Sequence, residues 1–495
     1  METRIYEVFG VAGHYAKDGS DISTWISSRP QNVRPDSSAT FRLARKWMET
    51  CSNTHSVCSR PEKFMPTRVL DVGVQHMPIS VRLVTCSDLQ ETYSYAALSY
   101  VWGSGGRLPR QATTWATFRE RPKMKLDFSN LPATLRDAII VTRCLKIRYL
   151  WVDALCIIQD SPEDKTYELA KMPEIYKNAQ MTITAALGPT FEAGSLTRPK
   201  PSHVDSTTLF KIHGRNLFGR HGTVHLSPIR LGNTFRSSVP VEPTSMRAWT
   251  MQEHMLSCRV LIYGSQQLRF VCRSMQRTDG GNIAASLEAP GLIRLKHDKK
   301  NGPNSDKPLK APSLLPWDKL VKEYTKRNLT NPEDKLVAFA GITSEYNKLA
   351  PDTYLAGIRR SQLVHELMWR CVAGDRKPRP EYRAPSWSWA SVDSPVICSS
   401  FHRGDINSTT LRLISAFCEP KIPSLPYGEV SAGALTCEAY TQRASITASG
   451  RHFLLRSDSS KVWPVATFDT ILEDGALEGT FQNVVCFVVS STKPN

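Results

Sequence analysis

The sequence predicts an α/β protein built on a mostly parallel sheet flanked by helices. Three runs of strand length, at 95–101, 148–153 and 180–186, are almost wholly apolar or small, the pattern of strands covered on both faces. Two segments between them, 131–145 and 163–178, carry apolar residues at helical spacing. Strand, helix, strand, helix, strand in that order builds a parallel sheet through crossover connections.

Residues 1–40 are polar and broken by Ser, Pro and Asp, and read as a loose N-terminal arm. A lead-in follows over 41–94. It holds a helix at 41–52, with Phe41, Leu43, Ala44, Trp47 and Met48 at helical spacing, then alternating runs at 67–72 and 79–84. Those runs read as a small β-unit ahead of the main sheet. The core domain spans 95–254. Its first strand, Tyr95-Ala-Ala-Leu-Ser-Tyr-Val-Trp-Gly103, runs into a loop containing Gly105 and Gly106. Pro132 suits the first turn of the helix that feeds the second strand. The pattern loosens over 190–245, then gives a short helix near 247–255 and strands at 259–263 and 268–272. An extension over 255–400 includes an insert at about 278–313, rich in Gly, Pro, Lys and Asn and read as flexible. Helices are expected at 317–324, 334–342 and 356–371. Residues 401–495 alternate between Gly, Pro and Ser breaks and read as a β-rich unit, so the C-terminal extension is α+β.

A chain of 495 residues, 41% hydrophobic and 22% charged, suits a globular protein with a sizeable core. No apolar run approaches the roughly 18 residues of a membrane span. The N-terminus shows no secretory pattern, and the 12 cysteines form no small-domain framework, so a cytoplasmic setting with reduced thiols is expected. The net charge of +17 favours anionic partners. The Lys and Arg residues are scattered and accompany no nucleic-acid motif, which argues against direct nucleic-acid recognition and leaves a nucleotide as candidate ligand.

The first strand block, Tyr149-Leu-Trp-Val-Asp-Ala-Leu-Cys-Ile-Ile-Gln-Asp160 and Arg247-Ala-Trp-Thr-Met-Gln-Glu253 together resemble the fungal heterokaryon-incompatibility (HET) domain. Trp47, Cys51, His55, Cys58 and Arg68-Val-Leu-Asp-Val72 upstream resemble its usual lead-in. Asp334-Lys-Leu, Tyr354-Leu-Ala-Gly-Ile358 and Tyr382-Arg-Ala-Pro-Ser-Trp-Ser-Trp-Ala390 downstream resemble a family extension. The resemblance implies non-self recognition ending in growth arrest or cell death, through self-association or another incompatibility protein. A wider similarity to TIR domains implies a flavodoxin-like core. Because some TIR domains cleave NAD, it also implies NAD as a candidate substrate; the sequence assigns no cofactor with certainty. A divergent relative with another role is the third reading.

On the TIR resemblance, Glu168, on the helix before the third strand, takes the place of the TIR-like catalytic carboxylate. It would stabilise positive charge as a glycosidic bond breaks. The competing reading is a solvated or ion-paired helix residue. Asp153 ends the second strand, where a carboxylate orients a ligand at the sheet's carboxyl edge. Trp102, Gly103, Gly105 and Gly106 form a candidate nucleotide loop, with Trp102 for stacking and backbone amides for phosphate; a plain turn is the alternative. In the third block, Arg247 and Glu253 read as a structural ion pair. Cys156, among apolar neighbours, reads as a packed thiol. Cys51, His55 and Cys58 share one face at C-x3-H-x2-C spacing, with Cys86 as a conceivable fourth zinc ligand. Unmetallated packing is the reading adopted for them. Trp387 and Trp389, two apart, are expected on one face of an extended segment that pins the C-terminal region to the core.

Overall fold

The computed structural model describes residues 34–58, 64–103, 110–120, 125–196, 241–265, 267–280, 291–297, 308–372, 381–398 and 411–438. It also describes strands at Phe9–Ala16, Phe210–Arg215, His221–Arg230, Ser408–Thr409, Thr441–Ser449, His452–Ser457, Val462–Ala466, Gly479–Phe487 and Ser490–Ser491. The chain divides into two compact units, Met1–Met246 with Glu253–Ser313, and Arg247–Gln252 with Leu314–Asn495. Among the described residues no helix is long and apolar enough to cross a membrane.

An eight-stranded sheet organises the first unit. In chain order its strands are β1 (Arg68–Asp71), β2 (Arg82–Thr85), β3 (Tyr95–Ser99), β4 (Tyr149–Trp151), β5 (Met181–Ala185), β6 (Arg259–Tyr263), β7 (Leu268–Cys272) and β8 (Gln276–Thr278). They lie in the order β8-β7-β6-β5-β3-β4-β1-β2. β3 runs parallel to β4 and β5, and β5 to β6, so the three predicted strands share one parallel core. Every residue of β3, β4, β5 and β6 is buried, the polar Ser99, Thr182, Thr184 and Arg259 included, as expected of strands covered on both faces.

Helix α1 (Ser38–Thr54) precedes β1 in the chain, α2 (Ala133–Cys144) leads into β4, α3 (Pro162–Asn178) into β5 and α4 (Ala248–Leu256) into β6. Ser37 caps α1 and Ser161 caps α3, each hydroxyl accepting a backbone N–H of the first turn. Lys146, at φ 61°, turns the chain out of α2 toward β4.

Two expectations are corrected by this arrangement. β1 and β2 form no separate unit: β1 pairs antiparallel with β4, and the hairpin extends the main sheet. Phe9–Ala16, read as loose arm, pairs with His221–Arg230, which also pairs with Phe210–Arg215, making a second sheet of three strands. Such a pairing joins segments some 200 residues apart, beyond the reach of local periodicity. In the main sheet, antiparallel strands flank the parallel core on both sides. Much of the insert at 278–313 lies outside the described residues; Ile293–His297 and Pro308–Leu314 within it pair as two strands.

In the second unit, helices Trp317–Thr325 and Val337–Leu349 close around Phe339, whose ring meets Trp317, Tyr324 and Trp389. The helix expected at 356–371 is mostly absent. Tyr354–Leu355 and Ile358–Arg359 form a hairpin, only Leu363–Glu366 is α-helical, and Trp369–Cys371 is a strand. The hairpin turn, Ala356 at φ 45° and Gly357 at φ 102°, explains the break. Trp387 and Trp389 do not share an extended face either. Trp389 opens a 3-10 turn and is buried against Tyr324, whereas Trp387 is half-buried and its carbonyl accepts the Trp369 indole N–H.

Candidate functional site

β3 has β4 on one side and β5 on the other, so the chain leaves it first one way and then the other. Open α/β sheets form their ligand crevice at the carboxyl ends of strands around such a switch point. Trp102 and Gly103 stand there. Gly103 has φ 115°, and a Cβ at this position would sit 3.4 Å from the Thr190 side chain in the loop after β5. Its conformation suits glycine, whereas the Thr190 contact is one that a Cβ could make. Trp102 Nε1 donates to Asp153 Oδ2 at 2.9 Å, and Asp153 Oδ1 accepts the Ala154 N–H at 2.7 Å. Loops following β3, β4 and β5 are therefore joined by these contacts. Asp153 opens the short helix Asp153–Cys156, and both its oxygens accept hydrogen bonds. Gly105 and Gly106 lie outside the described residues.

Glu168 is fully buried and so is no solvated helix residue. Its neighbour is Arg68 on β1, whose Nη2 lies 3.6 Å from Glu168 Oε1. The Arg68 guanidinium grips Asp164 at 2.7 and 2.6 Å, donates from Nε to the Cys156 carbonyl at 2.6 Å, and lies over the Phe118 ring. Asp164 also accepts the Ile158 N–H at 2.8 Å. Neither Glu168 oxygen makes a well-aligned hydrogen bond among the described residues, but the Thr67 side chain stands beside the carboxylate and, with Arg68, favours its charged form. Burial pushes its carboxyl above the usual range, and Arg68 pulls the other way. The candidate residues thus fall into two groups on either side of β4: Trp102 with Asp153 toward β3, and Glu168 with Arg68 and Asp164 toward β1.

Sequence reasoning missed Arg68 and Asp164. Asp164 had a signal, since Ser161-Pro-Glu-Asp164 is a helix-start pattern and the Asp164 N–H caps onto Ser161 Oγ. Arg68 lay at the head of an apolar strand with nothing to mark its partner. Cys156 is fully buried, as a packed thiol requires, and burial raises its pKa.

The third block serves as scaffold. In the second unit Trp249 Nε1 donates to Asp334 Oδ2 at 3.2 Å, and Gln252 Oε1 accepts the Gly341 N–H at 2.8 Å. In the first unit Glu253 is buried and its carbonyl accepts the Ser257 hydroxyl.

Cys51, His55 and Cys58 converge, and the fourth donor beside them is Cys272. Cys86 is not part of the cluster. It follows β2 at one end of the sheet order, whereas Cys272 ends β7 near the other. All four donor atoms lie within 4.8 Å of one another.

A cavity of about 480 Å³ opens in the second unit between Trp317, Tyr346, Arg359, His365 and Glu366. Two of its charged lining residues, Arg359 and Glu366, pair with each other. Arg359 Nε donates to Glu366 Oε1 at 3.0 Å, its backbone N–H donates to Oε2 at 2.7 Å, and its guanidinium lies over the Trp317 and Tyr346 rings. Burial nonetheless holds the Glu366 carboxyl up at about 7.

Residues 95–253 match the family model described as heterokaryon incompatibility protein (HET). Over 122 residues the chain is 31% identical to heterokaryon incompatibility protein 6, OR allele, of Neurospora crassa, a match covering 24% of this chain and 18% of that protein. The alignment therefore spans less than a fifth of the relative's length. No solved structure matches.

Proposed function

Starting from the HET domain at residues 95–253, we propose that the protein acts in heterokaryon incompatibility, as a module whose self-association, or association with another incompatibility protein, arrests growth or kills the cell. The observation that favours assembly over chemistry is the burial of Glu168, the carboxylate placed where a hydrolase would need it. Asp153, the other candidate, is held by the Trp102 indole. Both groups stiffen the carboxyl edge of the sheet without presenting a free carboxylate to a ligand. The test is induced expression of the chain in a filamentous fungus, with viability, cellular NAD and the protein's assembly state followed together. The expected result is loss of viability with a soluble oligomer and no fall in NAD before arrest. Soluble, abundant protein that leaves growth untouched overturns the reading.

A second reading, NAD cleavage, draws on one observation: Glu168 is a buried carboxyl without a well-aligned hydrogen bond among the described residues, and burial raises its pKa, as in many catalytic carboxyls. Nicotinamide release from NAD by the purified chain, abolished in a folded Glu168→Gln variant, would replace the first reading by this one.

A further inference from the structure

We propose that Cys51, His55, Cys58 and Cys272 form a structural zinc site that fastens α1 to the β7 edge of the sheet. The donors come from three separate places in the fold. Cys51 is in the last turn of α1, His55 is its C-cap, Cys58 ends the 3-10 turn Ser56–Cys58, and Cys272 ends β7. The end of α1 presents Cys51 and His55, the 3-10 turn folds Cys58 back beside them, and the helix lies against the strand, where the Trp47 and Phe270 rings meet at 6.1 Å.

The geometry suits tetrahedral zinc. With Zn–S near 2.3 Å and Zn–N near 2.0 Å, sulfur and nitrogen ligands stand about 3.5 Å apart and two sulfurs about 3.8 Å apart. Cys272 Sγ lies 3.5 Å from His55 Nδ1, and no pair among the four donor atoms exceeds 4.8 Å. Three thiolates and one imidazole are the donor set of closed structural sites, and their softness selects zinc over magnesium or calcium. The three cysteines are buried and His55 is half-buried, so the four donors complete the coordination with little room for a substrate.

The surroundings suit the charge. Three thiolates and a divalent ion leave one net negative charge. Arg259 Nε donates to Cys51 Sγ at 3.1 Å, and the Met275 N–H donates to Cys272 Sγ at 3.2 Å. N–H donors on ligand sulfurs orient them and spread their charge. Arg259 Nη2 also holds the Cys58 carbonyl at 2.9 Å, and Arg273 holds that of Val57, which fixes the turn carrying the third ligand. On binding, the protonated thiols release their protons to solvent and no electron is transferred.

The experiment is elemental analysis of the full chain, expressed with zinc in the medium and purified without chelator, beside Cys58→Ser, Cys272→Ser and Cys86→Ser variants. About one zinc per chain is expected in the unmodified and Cys86→Ser proteins, and loss of it in the other two, as removal of one of four ligands opens the site. Because ligand variants can misfold, the unmodified chain is also stripped of metal and titrated with cobalt(II). Tetrahedral thiolate–cobalt absorption saturating at about one equivalent supports the site, given the ligand count. Unmodified protein that carries no zinc and gives no such absorption overturns it, as does zinc that survives Cys272→Ser and is lost in Cys86→Ser.

Discussion

Arg68 holds two carboxylates from a site with 6% side-chain exposure, and the two respond differently to mutation. Arg68→Met strands Asp164 and Glu168 without their cation, and should cost about 3–5 kcal/mol in urea unfolding. Glu168→Gln removes a buried charge that makes no well-aligned hydrogen bond and keeps an amide able to meet the Thr67 side chain, so it should change stability by less than about 1 kcal/mol or raise it. A larger loss for Glu168→Gln than for Arg68→Met would show that the carboxylate, not the guanidinium, organises this corner. Glu366 makes the pH case. Its folded pKa is raised from 4.5 to about 7, so the folded state binds the proton more tightly than the unfolded chain. The stability it contributes is complete below pH 4.5 and is lost as pH rises to about 7, a fall of roughly 3 kcal/mol. Unfolding curves across that window should flatten in Glu366→Gln; an unchanged slope would place the pH dependence elsewhere.

Among the elements, the hairpin at 354–359 shows how one residue type fixes an arrangement. A Cβ on Gly357 would come within 2.6 Å of the Trp389 indole, at a φ of 102° that side chains avoid. Gly357→Ala should therefore destabilise the second unit by about 2–4 kcal/mol in denaturant unfolding, from left-handed backbone strain and an overfilled core together. A near-neutral result would mean that Trp389 moves without cost. The same hairpin marks the boundary of what the sequence disclosed. Strands such as Tyr95–Ser99 and Arg259–Tyr263 were legible because each carries a mostly apolar run with its own signal, and α3 because Ser161 and Pro162 announce its start. Residues 356–371 carried apolar spacing that fits a helix, and only the Ala356-Gly357 turn packed under Trp389 decides otherwise. For the sites, Trp102 and Asp153 were readable from their places at strand ends, whereas the partner of Glu168 and the fourth sulfur were not. Arg68 and Cys272 are ordinary strand residues until the sheet order sets them beside helices from elsewhere in the chain.

At the scale of the molecule, the sheet is larger than the family match. β1 and β2 precede residue 95 and β6, β7 and β8 follow 253, so five of the eight strands lie outside it. A fragment of 95–253 keeps three strands with two bare apolar edges. It should aggregate or unfold without cooperativity, whereas 34–280 should unfold in one transition by circular dichroism. Cooperative folding of the shorter fragment would make the outer strands dispensable. The placement of α1 against β7 also carries a consequence in time. His55 and Cys272 are 217 residues apart, and at roughly 5–20 residues per second a ribosome takes on the order of 10–45 s to travel between them. Throughout that interval Trp47 and the apolar face of α1 wait on a nascent chain for a strand that has not been made. A chain broken off between residue 253 and β7 contains every family-matched residue, yet lacks the strand on which its first helix packs. Synthesis itself therefore acts as a timer on when this module can exist.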